Sequence, residues 1–299
     1  MTKEKSLLSA AILTFLYCSV GMYFISHEMV NYGIFLFVLL PISLGIVVGS
    51  LPFLQWVFVG IISSGIIFLL LIYINKLEGI VCILMSIPIV IPLVVLGVLI
   101  NWFLIRMGIF KPTGNLKALI LPLLVFMVIA PLEKIYNGNS SLVMNVKTER
   151  IYPYSCMQVY DAIKSVDTLI AEKPFLMKLD LPVPNKCILE KEEVGGLRTC
   201  YFSGGKIVER ITELEKGKVL RMDVIDYKLT GRKWLGFNEA IYFFEKTGRH
   251  SCKMTRITTY SSKLKPRFYW EPLERLGIAQ EHQYVFDNLE NDLRKNTSK

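Results

Sequence analysis

Residues 29–74 contain no Asp, Glu, Lys, Arg or His. An uncharged apolar run of that length is too long for one buried core helix, and it matches two membrane spans of roughly 20 residues each. The turn Gly49-Ser50-Leu51-Pro52 divides it. Residues 6–26, 79–105 and 118–132 are also uncharged and mostly apolar. The reading is therefore an α-helical transmembrane region of about five spans, near 6–26, 32–49, 54–74, 79–105 and 117–133. The last is the shortest and carries Pro122. Lys3 and Lys5 ahead of the first apolar run resemble a signal peptide. No small-x-small site follows, and Tyr17 precedes Cys18, so an uncleaved span is the better reading.

Charge separates the chain into two parts. The whole sequence has 34 Lys/Arg and 25 Asp/Glu. Six and four of these lie at or before Glu133, which leaves 28 basic and 21 acidic residues beyond it. Residues 1–135 are thus read as the membrane domain, and residues 136–299 as a water-soluble domain, with a net charge of +7 from Lys134 onward. The basic residues of the short loops set the orientation. Lys3 and Lys5 precede span one, and Arg106, Lys111 and Lys117 follow span four, so both regions are assigned to the cytoplasm. After five spans the soluble domain emerges on the other face, the periplasm or exterior of a bacterial inner or plasma membrane; if the fifth segment is re-entrant, the domain is cytoplasmic instead. The apolar runs lack ionisable groups, which argues against a pump or coupled transporter. Ser63, Ser64, Ser86 and Asn101 read as helix-packing residues.

The second half changes period. Residues 142–151 read as a strand and 153–166 as a helix, with a short helical piece near 168–171. An irregular apolar segment with Pro182 and Pro184 follows. Six strands then run over 186–192, 197–203, 206–214, 219–227, 238–246 and 251–261. They are separated by turns at Gly195-Gly196, Gly204-Gly205, Glu215-Lys216-Gly217 and Thr247-Gly248-Arg249. The chain closes with a helix from Glu271. Ile278, His282, Val285 and Leu289 fall on one face of it, and that face should bury against the sheet.

The element order, with the hairpin Gly195–Glu213, the strand Lys216–Val224 and the aromatic-basic elbow Tyr260–Trp270, resembles the helix-grip fold of the START-like (SRPBCC) superfamily. Its bacterial members are often described as polyketide cyclase/dehydrase-like. The resemblance covers about residues 141–295 and implies an α+β domain in which a curved antiparallel sheet wraps a long C-terminal helix. It also implies an apolar cavity that takes a lipid, isoprenoid or polyketide-like molecule.

Candidate ligand-contacting residues follow from the strand faces and the terminal helix. They are His282, Tyr201, Tyr227, Tyr242, Phe244, Tyr260, Glu209 and Arg198. Glu209 and Arg210 are adjacent in a strand, so one of them faces inward and needs a partner. Arg198, Arg256, Glu239 and Asp223 are the partners on offer. Two loops mix cations with aromatics, through Arg232, Lys233 and Trp234 and through Lys265, Arg267 and Trp270. That composition suits a membrane surface. Cys187 and Cys200 flank the Gly195-Gly196 hairpin and would form a disulfide in an oxidising compartment. Metal-ligand spacings, phosphate loops and hydrolase motifs are absent, so neither a metal nor a cofactor is expected. Nucleic acid is not an expected partner, since no base-reading motif occurs.

These observations converge on a membrane-anchored START-like domain that binds a hydrophobic small molecule at the bilayer surface. An enzyme of the cyclase or hydrolase type acting on such a molecule, with His282 or an inward Glu as acid or base, is the first alternative. A non-catalytic membrane protein whose domain binds a protein partner is the second.

Overall fold

The computed structural model describes residues 1–26, 33–75, 77–108, 142–166, 169–229 and 234–297. It divides into two compact units, Met1–Ser140 with Lys263–Trp270 and Ser141–Ser262 with Glu271–Lys299.

In the first unit, helix α1 (Lys3–Ser26), helix α2 (Phe35–Gly49, π-wound over Phe35–Leu39), helix α3 (Leu54–Ile74) and helix α4 (Ile80–Arg106) are formed by residues that are apolar all round. A helix with no polar face has no side to offer water. Three of them, Lys3–Phe24, Leu54–Ile74 and Ile80–Arg106, are long and apolar enough to cross a bilayer. This corrects the expectation of five spans. At 1.5 Å per residue, Phe35–Gly49 is only ~22 Å long, short of a ~30 Å hydrocarbon core. The expected fifth span lies outside the described residues. The helices pack through small residues. A Cβ on Gly45 would stand 2.1 Å from the Val94 carbonyl oxygen, and one on Gly97 would stand 2.2 Å from that of Ile42, so α2 and α4 touch backbone to backbone. Gly60 likewise lets α3 reach the Leu7 carbonyl of α1, at 2.4 Å from its ideal Cβ. Ser64 donates to Ala11 O at 2.9 Å and Ser50 to Asn101 Oδ1 at 3.2 Å.

In the second unit, strand β1 (Leu142–Tyr152), helix α5 (Cys156–Lys164) and the four-residue helix α6 (Phe175–Lys178) come first. Strands β2 (Pro184–Leu189), β3 (Leu197–Phe202), β4 (Gly205–Glu215), β5 (Val219–Leu229), β6 (Leu235–Gly248) and β7 (Ser251–Ser262) follow, and helix α7 (Arg267–Thr297) is last. The strands form one antiparallel sheet in the order β1-β7-β6-β5-β4-β3-β2. Register shifts at Val208/Glu209, Ile211/Glu213 and Phe237/Glu239 mark bulges, which bend and twist a strand, and the sheet curls into a half-barrel with α7. α5 starts three residues later than its apolar pattern suggests, because Ser155 and Gln158 close a capping box at Cys156.

Period-two alternation decides what faces α7. Ala240, Tyr242 and Phe244 of β6 are buried, as are Cys252, Met254, Thr258 and Tyr260 of β7. Val285, Phe286, Leu289 and Leu293 of α7 join Tyr242, Phe244 and Met254 in the main core. A second cluster of Val146, Tyr260 and Ile278 lies further toward the start of α7.

Candidate functional site

Among the described residues, the interior between the sheet and α7 is mostly apolar and carries a belt of charge, with the buried Glu274 carboxylate separate from it. On β3, Arg198 and Cys200 point inward; on β4, Glu209 does, directly opposite Arg198 in the register. Arg198 Nη1 donates to Glu209 Oε2 at 3.1 Å, and its Nη2 donates to the Ile163 carbonyl in the last turn of α5 at 3.1 Å. On β7, Arg256 sits beside Tyr242 of β6 in the register. Arg256 pairs with Glu281 of α7 at 3.0 Å. Tyr242 joins the two pairs: the Arg198 guanidinium lies 5.8 Å from its ring centre and that of Arg256 lies 5.5 Å away. The belt therefore runs Glu209, Arg198, Tyr242, Arg256, Glu281, two positive charges balanced by two negative.

The balance shapes each group's protonation. Burial works against the charge on Arg198 and Arg256, and the surrounding Tyr242, Glu209 and Glu281 more than offset it, so both guanidinium pKa values rise. Burial raises the Glu281 carboxyl above the usual carboxylate range despite Arg256 beside it. The Nε atoms of Arg198 and Arg256 are buried and find no hydrogen-bond acceptor among the described residues.

His282 sits next to this belt, fully buried. Its Nδ1 lies 2.7 Å from Thr148 Oγ1 and its Nε2 lies 2.7 Å from Thr258 Oγ1. A neutral imidazole donates from one nitrogen and accepts at the other, so the two threonines occupy both. Burial, then Arg256, holds its pKa well below the ordinary histidine value. His282 thus braces α7 against β1 and β7 and has no ring nitrogen left for a ligand. Further along α7, the Glu274 carboxylate accepts from Tyr260 OH at 3.3 Å and Ser262 Oγ at 2.6 Å.

The structure brings Arg198, Glu209, Tyr242, Phe244, Tyr260 and His282 to this interior. Tyr227 is half-buried and stacks edge-on with Phe237, centroids 5.6 Å apart. Tyr201 is placed on the outer face of β3, 38% exposed under Lys186, because it is an odd number of residues from Arg198. Among the residues assigned to a membrane surface, Arg232 and Lys233 lie outside the described residues. Trp234, Lys265 and Arg267 are half-buried. Trp270 lies in α7 rather than in a loop and is only 4% exposed, its ring 4.7 Å from that of Phe37, whereas the neighbouring Phe268 is 83% exposed.

The Sγ atoms of Cys187 and Cys200 are bonded across β2 and β3. A second disulfide, Cys156–Cys252, ties the start of α5 to β7. Cys18 and Cys82, both in apolar helices, form no disulfide.

No family model and no curated protein matches the sequence. Among solved structures, the chain is similar to a norcoclaurine synthase point mutant from Thalictrum flavum, with 14% identity and TM-score 0.36 over 53% of this chain and 98% of that one. An aromatase/cyclase from Streptomyces sp. R1128 aligns with 10% identity and TM-score 0.38, over 52% of this chain and 96% of that one. A protein of unknown function from Staphylococcus aureus aligns with 12% identity and TM-score 0.39, over 54% and 99%. Similarity this distant says nothing of ligand or activity.

Sequence reasoning did not join Arg256 to Glu281, and it missed the Cys156–Cys252 bond. Arg256 shares its parity with Cys252, Met254, Thr258 and Tyr260, and that signal places it on the inner face. Glu281 gives no such signal, since it flanks the apolar stripe of α7 rather than lying within it.

Proposed function

We propose that the C-terminal unit binds a hydrophobic small molecule between its sheet and α7, and that the apolar helices anchor the chain in a membrane. The observation that carries this reading is the composition of the interior: mostly apolar residues crossed by a charge-balanced belt, Glu209–Arg198–Tyr242–Arg256–Glu281. Ligand sites are mostly apolar, with a few convergent polar groups that orient the guest. Buried charges that served stability alone would be replaceable by apolar residues at little cost. The four disulfide-bonded cysteines of this unit, set against Cys18 and Cys82 of the apolar helices, which form no disulfide, support placing it on the extracytoplasmic side. The enzyme alternative loses its leading acid/base candidate, because both nitrogens of His282 are engaged.

The test is mass spectrometry of organic extracts from the full chain purified in mild detergent, with Phe244→Arg and Tyr242→Leu as comparisons. Circular dichroism selects the variants that keep the fold. A lipid-like molecule enriched in the wild type and lost in a folded variant is the expected result. Equal recovery from all folded forms, or none from any, would refute an interior ligand site. Alkylation without reductant should modify two cysteines; six would place the unit in a reducing compartment.

A further inference from the structure

Residues 169–183 form a loop that leaves the sheet at its β2 edge, packs against α7 and returns to the same edge. One end is fixed to the sheet edge: Val166 and Cys187 exchange two backbone hydrogen bonds of 2.8 Å, and Leu169 N donates to Asn185 O at 3.1 Å. The other end is fixed to the β3–β4 turn, where Val183 N donates to Ser203 Oγ at 3.0 Å and Ser203 N to Val183 O at 2.9 Å. The middle is held by side chains of α7. Asn288 Oδ1 accepts from Ile170 N at 2.6 Å and Ala171 N at 2.7 Å, Tyr284 OH donates to Leu169 O at 3.0 Å, and Gln280 Oε1 accepts from Leu176 N at 3.0 Å.

Gln280, Tyr284 and Asn288 are spaced by four, so they form one stripe on α7. Asn288 is 1% exposed, and its Nδ2 donates to Tyr284 O at 2.7 Å, so its amide is aimed at the segment by the helix itself. The segment's inner side closes over a small cluster, Met177, Val183 and Tyr284 with Leu169 and Leu181, and touches the main core through Leu169. Its outer side leaves Ile170 and Phe175 about two-thirds exposed, at 66% and 67%. A segment held at both ends by the sheet, but in its middle by side-chain hydrogen bonds and a satellite cluster, can lift without disturbing the strand ladder.

We infer that residues 169–183 are the gate through which the ligand enters, latched shut by Asn288, Tyr284 and Gln280. The inference rests on the binding reading above and adds its point of access. The four latch bonds are individually modest, so the closed state is favoured without being locked. Apolar residues on both faces, inner for closure and outer for an arriving hydrophobic guest, suit a segment that hands such a guest inward.

Hydrogen exchange on the full chain in detergent micelles tests the opening directly. The Ile170, Ala171 and Leu176 amides should exchange by a local opening that is insensitive to low urea, while the β6 and β7 amides exchange only by global unfolding. Asn288→Leu should speed the three gate amides about ten- to hundred-fold and leave β6 unchanged. Asn288→Asp, which keeps the acceptor oxygens, should restore protection. Gate amides that exchange together with β6 in the wild type would overturn the inference, whatever the variants do. Uptake of 11-dansylaminoundecanoic acid, followed by energy transfer from the protein's tryptophans, tests the gating role. Asn288→Leu should raise its association rate about ten-fold at unchanged equilibrium affinity. An unchanged rate would overturn the gate and leave the binding site standing, whereas no uptake by either protein would overturn the binding reading itself.

Discussion

The two units solve the problem of holding helices together in opposite ways. In the N-terminal unit the contacts are made by what is missing: Gly45, Gly97 and Gly60 let backbones meet, and a few neutral bonds such as Ser64 to Ala11 O fill in. In the C-terminal unit the contacts are made by bulk and charge: Tyr242, Phe286 and Met254 fill the space, two ion pairs cross it, and two disulfides lock it. The difference is the one expected from the proposed placement of the first unit in lipid and the second in water. Apolar side chains gain little by leaving lipid for a helix interface, so close backbone approach is what remains. In water, apolar burial drives folding at ~25 cal/mol per Å², which leaves room for a charge-balanced belt. Changes of size should therefore be felt most in the first unit, and changes of charge most in the second.

The largest effect is expected from breaking that belt. Arg198→Met leaves Glu209 buried beside Cys200 without its cation, which costs about 3–5 kcal/mol. Adding Glu209→Leu should recover most of the loss, since replacing both partners removes the uncompensated charge. Thermal unfolding of the C-terminal unit reads both variants; a double variant no better than the single would show that the belt's role is packing. Next come the disulfides. Cys156–Cys252 spans 96 residues of sequence and Cys187–Cys200 spans 13. Loop-closure entropy makes loss of the first about 2 kcal/mol more costly than loss of the second, and paired Cys→Ser variants measure the difference. Equal losses would place the stabilisation in local packing instead.

Legibility in the sequence divides along the same line. The strands of the C-terminal unit were readable because alternation, turns and length all agree there: the expected 142–151 is β1, and 251–261 is β7. Of the candidates, Tyr242, Phe244 and Tyr260 are buried and His282 shares the buried face of the terminal helix. The sequence left open whether Glu209 or Arg210 faces inward, and only the strand register with Arg198 decides it. Tyr201 looked like its aromatic neighbours but sits on the other face. In the apolar helices hydropathy marks membrane affinity but not helix length, so five runs became three spanning-length helices, one short one and one outside the described residues. The Arg256–Glu281 pair and Cys156–Cys252 depend on contacts between elements far apart in sequence, and no local pattern announces them.

A smaller effect separates two glycines of the N-terminal unit. Gly97→Ala places a methyl against backbone on α2, with 2.2 Å to Ile42 O, and should cost about 1–3 kcal/mol. Gly65→Ala, on α3 with nothing within 4 Å of its Cβ, should be neutral or stabilise by up to ~1 kcal/mol through helix propensity. Thermal melts of the two variants in the same detergent decide the matter; equal shifts would mean that α2 and α4 do not meet at Gly97.

The smallest effect is a pH slope carried by His282. Its pKa is lowered in the folded state, first by burial and then by Arg256, while the unfolded chain titrates near the ordinary value of 6.5. Above pH 6.5 the group is neutral in both states and contributes no pH dependence. Below it the unfolded chain takes up a proton that the fold refuses, so stability falls as pH falls, by up to ~1.4 kcal/mol per pH unit. The groups facing the ring are Thr148 on β1, Thr258 and Arg256 on β7, and Glu281 on its own helix at 3.9 Å. Glu281 has the opposite sign. Burial raises its pKa, so the fold takes up this proton before the unfolded chain does, and acidification toward 4.5 stabilises. His282→Gln keeps a donor and an acceptor for the threonines but does not titrate. Its stability should lack the decline that the wild type shows just below pH 6.5, while keeping the Glu281 contribution at lower pH. Parallel curves for the two proteins would mean that His282 is protonated in the fold, and that the bond pattern with Thr148 and Thr258 requires a charged ring.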